Sequence, residues 1–321
     1  MKHFRLFTFL LVLICLSVSV YAQKQQRDIL VEKYRSFLDV HYGNYDRNAF
    51  DLYLPNSDNG KHPLVVYFHG GGFTQGDKAR IKGELPIAQH LLDNGIAYAS
   101  VNYRYLKNND SLGVQQCIHD AVRFIQYIRY HASEYAIDSS RIACYGESAG
   151  AGISLYLAFH DNLADVSSKD PIAQEPSRIN CAGAIATQST YNLFRWKRIV
   201  PWYWLVFKLK EKSLKAQIAN FYGFKSFHDF KPCKKEIIRK LDLLKMITPD
   251  DPPVWLCNEV SDKIKNGIPH NENQLFHHPA HAFVVAKKTR KAGVVNYLIT
   301  NEKQKTSVIS EVAFFEKYLK N

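Results

Sequence analysis

The segment "RIACYGESAGAGISLYLAF", residues 141–159, limits the fold more than any other part of this 321-residue chain. It begins as an apolar, β-type run and ends as a small-residue and apolar run of helical length, with Gly146-Glu147-Ser148-Ala149-Gly150 between the two. A strand that passes directly into a helix needs a tight turn, and glycine at both flanks removes the Cβ atoms that would collide there. Ser148 at the apex would stand exposed at the strand's carboxyl end and at the positive end of the helix dipole. A strand–turn–helix of this kind belongs to a parallel sheet with helical crossovers.

The remaining patterns agree. After a polar lead expected to be helical (Gln23 to Leu38), "DVHYG" and "FDLYLP" read as an antiparallel pair. "PLVVYFH", "AYASVNY", "CAGAIAT", "PPVWLC" and "VVNYLI" are apolar or β-branched core strands. "CIHDAVRFIQYIRYHASEYA" and "PAHAFVVAKKTRKAG" have apolar residues at helical spacing. The expectation is one large α/β domain with a mostly parallel, eight-stranded sheet flanked by helices. Residues 188–250 interrupt the alternation with a helix-like, aromatic-rich block holding Trp196, Trp202 and Trp204, three of the four tryptophans. A block of that length between core strands is expected to be a cap inserted over the sheet's carboxyl edge.

Residues 1–22, "MKHFRLFTFLLVLICLSVSVYA", combine a basic start, an apolar run and a small-residue end. They read as a secretory signal peptide, which puts residues 23–321 in a secreted or periplasmic setting, with membrane contact only through the leader. The net charge is +12. Basic clusters such as "FKLKEKSLK" and "KPCKKEIIRK" are interleaved with apolar residues, as on solvated helix faces, and no nucleic-acid motif accompanies them. Acidic polysaccharide or an anionic membrane surface are the other partners such charge would attract. Cys117, Cys144, Cys181, Cys233 and Cys257 follow the leader without metal-ligand spacing, and Cys144, Cys181 and Cys257 fall in core strands as small buried hydrophobes.

A second motif, "FHGGGF" at residues 68–73, directly follows the strand "PLVVYF". Acyl transfer develops negative charge on a carbonyl oxygen, which requires preorganised N–H donors, and a glycine run lets main-chain amides approach closely. Gly71, Gly72 and Ala149 are the candidate donors, and His69 is expected to hold the loop through hydrogen bonds.

The two motifs, in this order, resemble the α/β-hydrolase carboxylesterases of the hormone-sensitive-lipase and feruloyl-esterase kind. "DLYLP", "VNYRY", "DSSRIACYGESAGAG", "FYGF" and "DDPPVWL" extend the resemblance from about residue 41 to about residue 300. It implies an α/β-hydrolase fold and hydrolysis of carboxylic esters through an acyl-serine, without cofactor or metal. The family's acid follows the strand matched by "PPVWLC", where Asp262 stands, with Glu259 as a nearby substitute. The family's histidine follows the strand matched by "VVNYLI". There this chain has "TNEKQKT", with Gln304 or Lys305 in its place, and no histidine after His281. Neither residue is a ready proton acceptor near neutral pH.

One cluster offers a replacement. "FHHPAHAF" carries His277, His278 and His281 at the start of a helix that begins on Ser148's edge of the sheet. Triads are defined by geometry and not by chain order. His278, placed at the N-cap by Pro279, is favoured as base over its two neighbours, and His270 ranks behind them. The expected protein is a secreted serine esterase acting on a small-molecule or polysaccharide-linked ester. The alternative is a hydrolase-fold binding protein that keeps the pocket and lacks turnover.

Overall fold

Every residue of "HPLVVYF" is buried, because its strand lies at the sheet's centre with helices on both faces. In the computed structural model, which describes residues 27–57, 60–81, 83–106, 111–259, 268–301 and 308–320, eight strands form one sheet. They are β1 (Arg35–His41), β2 (Ala49–Leu54), β3 (His62–Phe68), β4 (Ala97–Val101), β5 (Ile137–Glu147), β6 (Cys181–Ile185), β7 (Val254–Cys257) and β8 (Asn296–Ile299). Their spatial order is β1-β2-β4-β3-β5-β6-β7-β8. β1, β2 and β4 pair antiparallel and the others parallel, as the alternating pattern requires.

Side chains alternate between two cores. Leu64, Val66 and Phe68 of β3 pack on one face with α3 (Val114–Tyr130), α4 (Ala149–Phe159) and α10 (Pro279–Ala292). Val65 and Tyr67 pack on the other with α1 (residues 27–33), α2 (Leu85–Asp93) and α11 (Glu311–Leu319). Cys144, Cys181 and Cys257 are buried in their strands, as expected.

The N-terminal lead is helical for less than expected. α1 ends at residue 33, and β1 starts at Arg35 opposite Leu54. An ionic cluster competes successfully with helix propensity there. Arg27 Nη2 reaches Asp39 (2.7 Å) and Asp51 (2.9 Å), and the buried Lys78 Nζ reaches the same two carboxylates at 2.6 Å each. Asp39 lies at φ 54°, inside the irregularity between Phe37 and Val40 that bends the edge strand toward these cations. Residues 1–22, read as a leader, lie outside the described residues. Among those described, no helix is long and apolar enough to cross a membrane.

Between β6 and β7, the 188–250 block contains a short 3₁₀ turn (Leu193–Arg198) followed by α5 (Tyr203–Leu209), α6 (Glu211–Phe221), α7 (Phe227–Lys240) and α8 (Leu243–Met246). Aromatic contacts consolidate it: Tyr222 stacks on Phe230 at 4.6 Å, and Phe230 on Phe194 at 5.8 Å. Buried Asp242 ties its start down, accepting from Thr190 and Asn192 (both 3.1 Å) and pairing with Arg195 at 2.8 Å.

At the turn between β5 and α4, three main-chain segments touch. A Cβ on Gly150 would lie 1.8 Å from the Phe68 carbonyl oxygen, and one on Gly146 would lie 2.4 Å from that same atom. Gly150→Ala should therefore lower the unfolding free energy by about 2 kcal/mol or more, as overpacking against rigid backbone does. Denaturant titration measures this, and a change below experimental error would refute the packing argument.

Candidate active site

Ser148 sits at φ 51° and ψ −107°, a backbone conformation that non-glycine residues rarely adopt. Its N–H donates to the Ile185 carbonyl at 2.8 Å, which ties the turn to the end of β6. The side chain is thereby lifted above the sheet edge, and Ser148 Oγ lies 2.8 Å from His277 Nε2.

His277 comes from a feature the sequence reading missed, the short helix α9 (Glu272–Phe276) ahead of α10. The signal was present: Asn271 caps α9 by accepting from Gln274 N–H at 2.9 Å, and the Gln274 side chain accepts from His270 N–H at 2.7 Å. Asn-x-x-Gln at a helix start is a variant of the capping-box pattern. His277 is the C-cap of α9 and His278 the N-cap of α10, so the two imidazoles leave a helix–helix corner in different directions.

The preference for His278 is corrected by this geometry. Its Nδ1 accepts the Ala280 N–H at 3.1 Å, so the predicted N-cap position occupies the ring in capping, and it is His277 that meets Ser148. His281 is buried in a different role. A backbone amide can only donate, so the contact from Ser189 N to Nδ1 (3.2 Å) leaves the proton on Nε2, which faces the Leu275 carbonyl at 3.2 Å. His281 thus pins α9 to the chain following β6, with Trp196 packed edge-on at 4.9 Å. His270 is exposed.

Side-chain amides fix the corner that carries His277. Gln188 Nε2 donates to the Phe276 carbonyl at 3.2 Å. Asn258 Nδ2 donates to the Thr187 carbonyl (2.9 Å) and, more weakly, to that of His278 (3.4 Å), while Asn258 Oδ1 accepts from Thr187 N–H at 2.8 Å. From α6, Gln217 Nε2 reaches Glu272 at the start of α9 (2.8 Å). Burial holds the His277 pKa below its ordinary value, with a hydrogen bond to the Asn273 backbone opposing the shift. Burial therefore favours the neutral imidazole, the form able to accept a proton.

Asp262, Gln304 and Lys305 lie outside the described residues. Glu259, the substitute acid, has its Oε1 3.8 Å from the Cys257 thiol. Among the described residues, no group of three His, Cys, Asp or Glu is arranged to hold a metal.

The glycine loop faces Ser148. Gly71 and Gly72 have φ 110° and 60°, and a Cβ on Gly71 would overlap the Gln75 carbonyl at 2.1 Å, so only glycine fits that bend. Ala149 is the first residue of α4, so its N–H has no acceptor within the helix. His69 holds the loop from beneath, as expected. Its Nδ1–H donates to the Gly70 carbonyl (2.7 Å), its Nε2 accepts from Arg47 (3.2 Å), and its ring stacks on Tyr103 at 4.4 Å. Burial pushes its pKa down to about 4.

Two cavities meet at Ser148. An apolar one of about 270 Å³ is walled by Phe73, Tyr191, Trp196, Tyr203, Leu214, Phe221 and Phe276, with Gly72 and Ala149 at its floor. A polar one of about 460 Å³ is bordered by Gly71, Gly72, Thr74, Gln75, Asp77, Arg80, Glu147, Asn273 and His277.

A family model, BD-FAE, matches residues 50–278, a span that contains Ser148, both glycine motifs and His277. The chain belongs to the BD-FAE family. This is a family of α/β-hydrolase carboxylesterases, in agreement with the resemblance drawn from the motifs. The match ends at His278, so the corner that carries His277 falls inside it. Curated relatives include a probable isoprenylcysteine alpha-carbonyl methylesterase of Arabidopsis thaliana, 29% identical over 73% of this chain and 45% of its own length. A probable carboxylic ester hydrolase of Mycobacterium tuberculosis is 33% identical over 41% of this chain and 29% of its own. The chain thus spans less than half of either relative. Among solved structures, a truncated carbohydrate esterase from gut microbiota aligns with a TM-score of 0.63 at 16% identity, over 90% of this chain and 98% of that one. An acetyl ester-xyloside bifunctional hydrolase from Caldicellulosiruptor lactoaceticus aligns with a TM-score of 0.55 at 19% identity, over 85% of each. At those identities the structures speak for the fold.

The buried His281, whose pKa burial pushes down to about 3, has a consequence for stability. Its folded-state pKa lies below the ordinary 6.5, so its stabilising contribution is complete above 6.5 and is lost as pH falls from there toward 3. His69 acts in the same sense between 6.5 and about 4. Denaturant midpoints should fall through this window, with a shallower pH slope in His281→Phe. An unchanged slope would contradict the burial of a neutral ring at 281.

Proposed function

We propose that this chain is a serine hydrolase of carboxylic esters, with Ser148 as nucleophile and His277 as base. The observation that carries the reading is the 2.8 Å contact between Ser148 Oγ and His277 Nε2. As Oγ bonds to the acyl carbon, its proton passes to Nε2, and the carbonyl oxygen takes up negative charge between the N–H groups of Gly71, Gly72 and Ala149. Collapse of the tetrahedral species expels the alcohol, which leaves with the proton from Nε2. Water then attacks the acyl carbon as its proton passes to the same nitrogen, and collapse breaks the acyl–Oγ bond, returns that proton to Oγ and frees the acid. Asp262, on the segment after β7, is our assignment for the acid that supports the imidazolium.

The paired cavities support an ester of two unlike halves. The apolar cavity suits an acyl group with an aliphatic or aromatic face, and the polar cavity, with Asp77, Arg80, Glu147 and Asn273, suits a hydroxylated alcohol such as a sugar. An acyl group on a polysaccharide fits both requirements, and the solved carbohydrate esterases of the same fold are in keeping with it. The signal-like residues 1–22 support a secreted or periplasmic setting. The reading as a binding protein without turnover rested on the missing late histidine, and an imidazole within reach of Ser148 removes that reason for it.

Hydrolysis of a short aryl ester should fall to background in Ser148→Ala. It should fall by about 10²–10⁴ in His277→Gln and by less than about tenfold in His278→Gln, as expected for loss of a general base and of a helix cap respectively. Wild-type turnover by His277→Gln would refute the assignment. The acid limb of kcat/KM should have its midpoint below 6.5, because burial disfavours the protonated ring.

A further inference from the structure

We propose that the outer face of α5 docks on an anionic lipid bilayer, with the mouth of the apolar cavity against the membrane. This goes beyond the ester chemistry of Ser148 and does not depend on it. It also goes beyond the expectation that the membrane matters only to the leader.

The short helix has two unlike sides. Tyr203, Val206 and Phe207 face inward onto Val200, Leu214 and Leu275. On the other side Trp204 is 60% exposed and Leu209 72%, beside Trp202 at 48%. Large apolar side chains so exposed, clustered within eight residues, are costly in water and point to a contact surface. The charge around them has one sign. Lys197, Arg198, Lys208, Lys210 and Lys212 are all exposed, while the single acid among them, Glu211, pairs with Lys215. Indole rings favour the headgroup region, and long cationic side chains extend from there to anionic phosphates.

The same observations weigh against other occupants. The Trp202 and Trp204 rings are 6.1 Å apart and tilted by 44°, which does not make the flat platform on which sugar rings stack. A second copy would bring cations against cations. The patch is also joined to the active site, since Tyr203, next to Trp204, lines the apolar cavity.

The chain carries its own probe. Trp196 and Trp255 are buried, so Trp202 and Trp204 are the only tryptophans open to the surroundings. The full chain is mixed with vesicles of phosphatidylcholine alone, or with phosphatidylglycerol added, each with brominated acyl chains. The expected result is a blue shift and quenching of tryptophan emission on the anionic vesicles, reversed by salt. The triple variant Lys208→Glu, Lys210→Glu, Lys212→Glu should lose at least tenfold in vesicle affinity, and Leu209→Asp should lose the quenching. Both should keep wild-type turnover of a soluble aryl ester, which certifies folding and tests the Ser148 chemistry separately. Vesicle binding without quenching assigns attachment to another part of the chain and overturns the proposal. So does quenching equal on both vesicle types or unchanged in the variants, as does binding to soluble polyuronate in place of vesicles.

Discussion

The Phe68 carbonyl, Gly146 and Gly150 occupy a space in which no side-chain carbon fits, and the arrangement of the molecule follows from that close approach. It brings the end of β3 against the start of α4, so the glycine loop after β3 arrives beside the serine that precedes α4. It also forces Ser148 into its unusual backbone conformation, which the bond to Ile185 and the burial of α4 on both sides sustain. Ser148 and the glycine loop are therefore positioned by one packing constraint at the centre of the sheet.

His277 reaches this point by a different route. It is carried by a helix–helix corner between β7 and β8. The corner is held by polar groups with few alternatives: a histidine of fixed tautomer at 281, an asparagine at 258 bonding in both senses, and a glutamine at 188. Buried polar groups satisfied in this way define one geometry, because any displacement leaves a donor or acceptor unmet. The histidine cluster thus divides its work, with one ring for the serine, one for a helix end and one for the frame.

Much of this could be read from the residues. Apolar runs such as "PLVVYF" and the two glycine motifs state their own surroundings, since few environments suit them, and they gave the sheet, the elbow and the loop. The choice among His277, His278 and His281 was not legible to the same degree. All three lie within five residues of one another, and their directions depend on short helix ends where the side chain turns by about 100° per residue. Reading His278 as the N-cap was correct, and that same capping contact is what removes it from the serine. The overlong first helix was a failure of another kind: local propensity favoured helix, while distant partners, Asp51 and Lys78, favoured an edge strand.

Gln188 and Gln217 both belong to the chain between β6 and β7, the stretch that also walls the apolar cavity. One grips the carbonyl just before the imidazole, and the other grips the first turn of its helix. Wall and proton acceptor hang from a common suspension. On the proposed chemistry, an acyl chain too bulky for the cavity would press on the stretch that also positions the imidazole, where a shift of about 1 Å slows proton transfer severely. On that chemistry, the shape of the pocket and the seat of the imidazole are set by one stretch of chain.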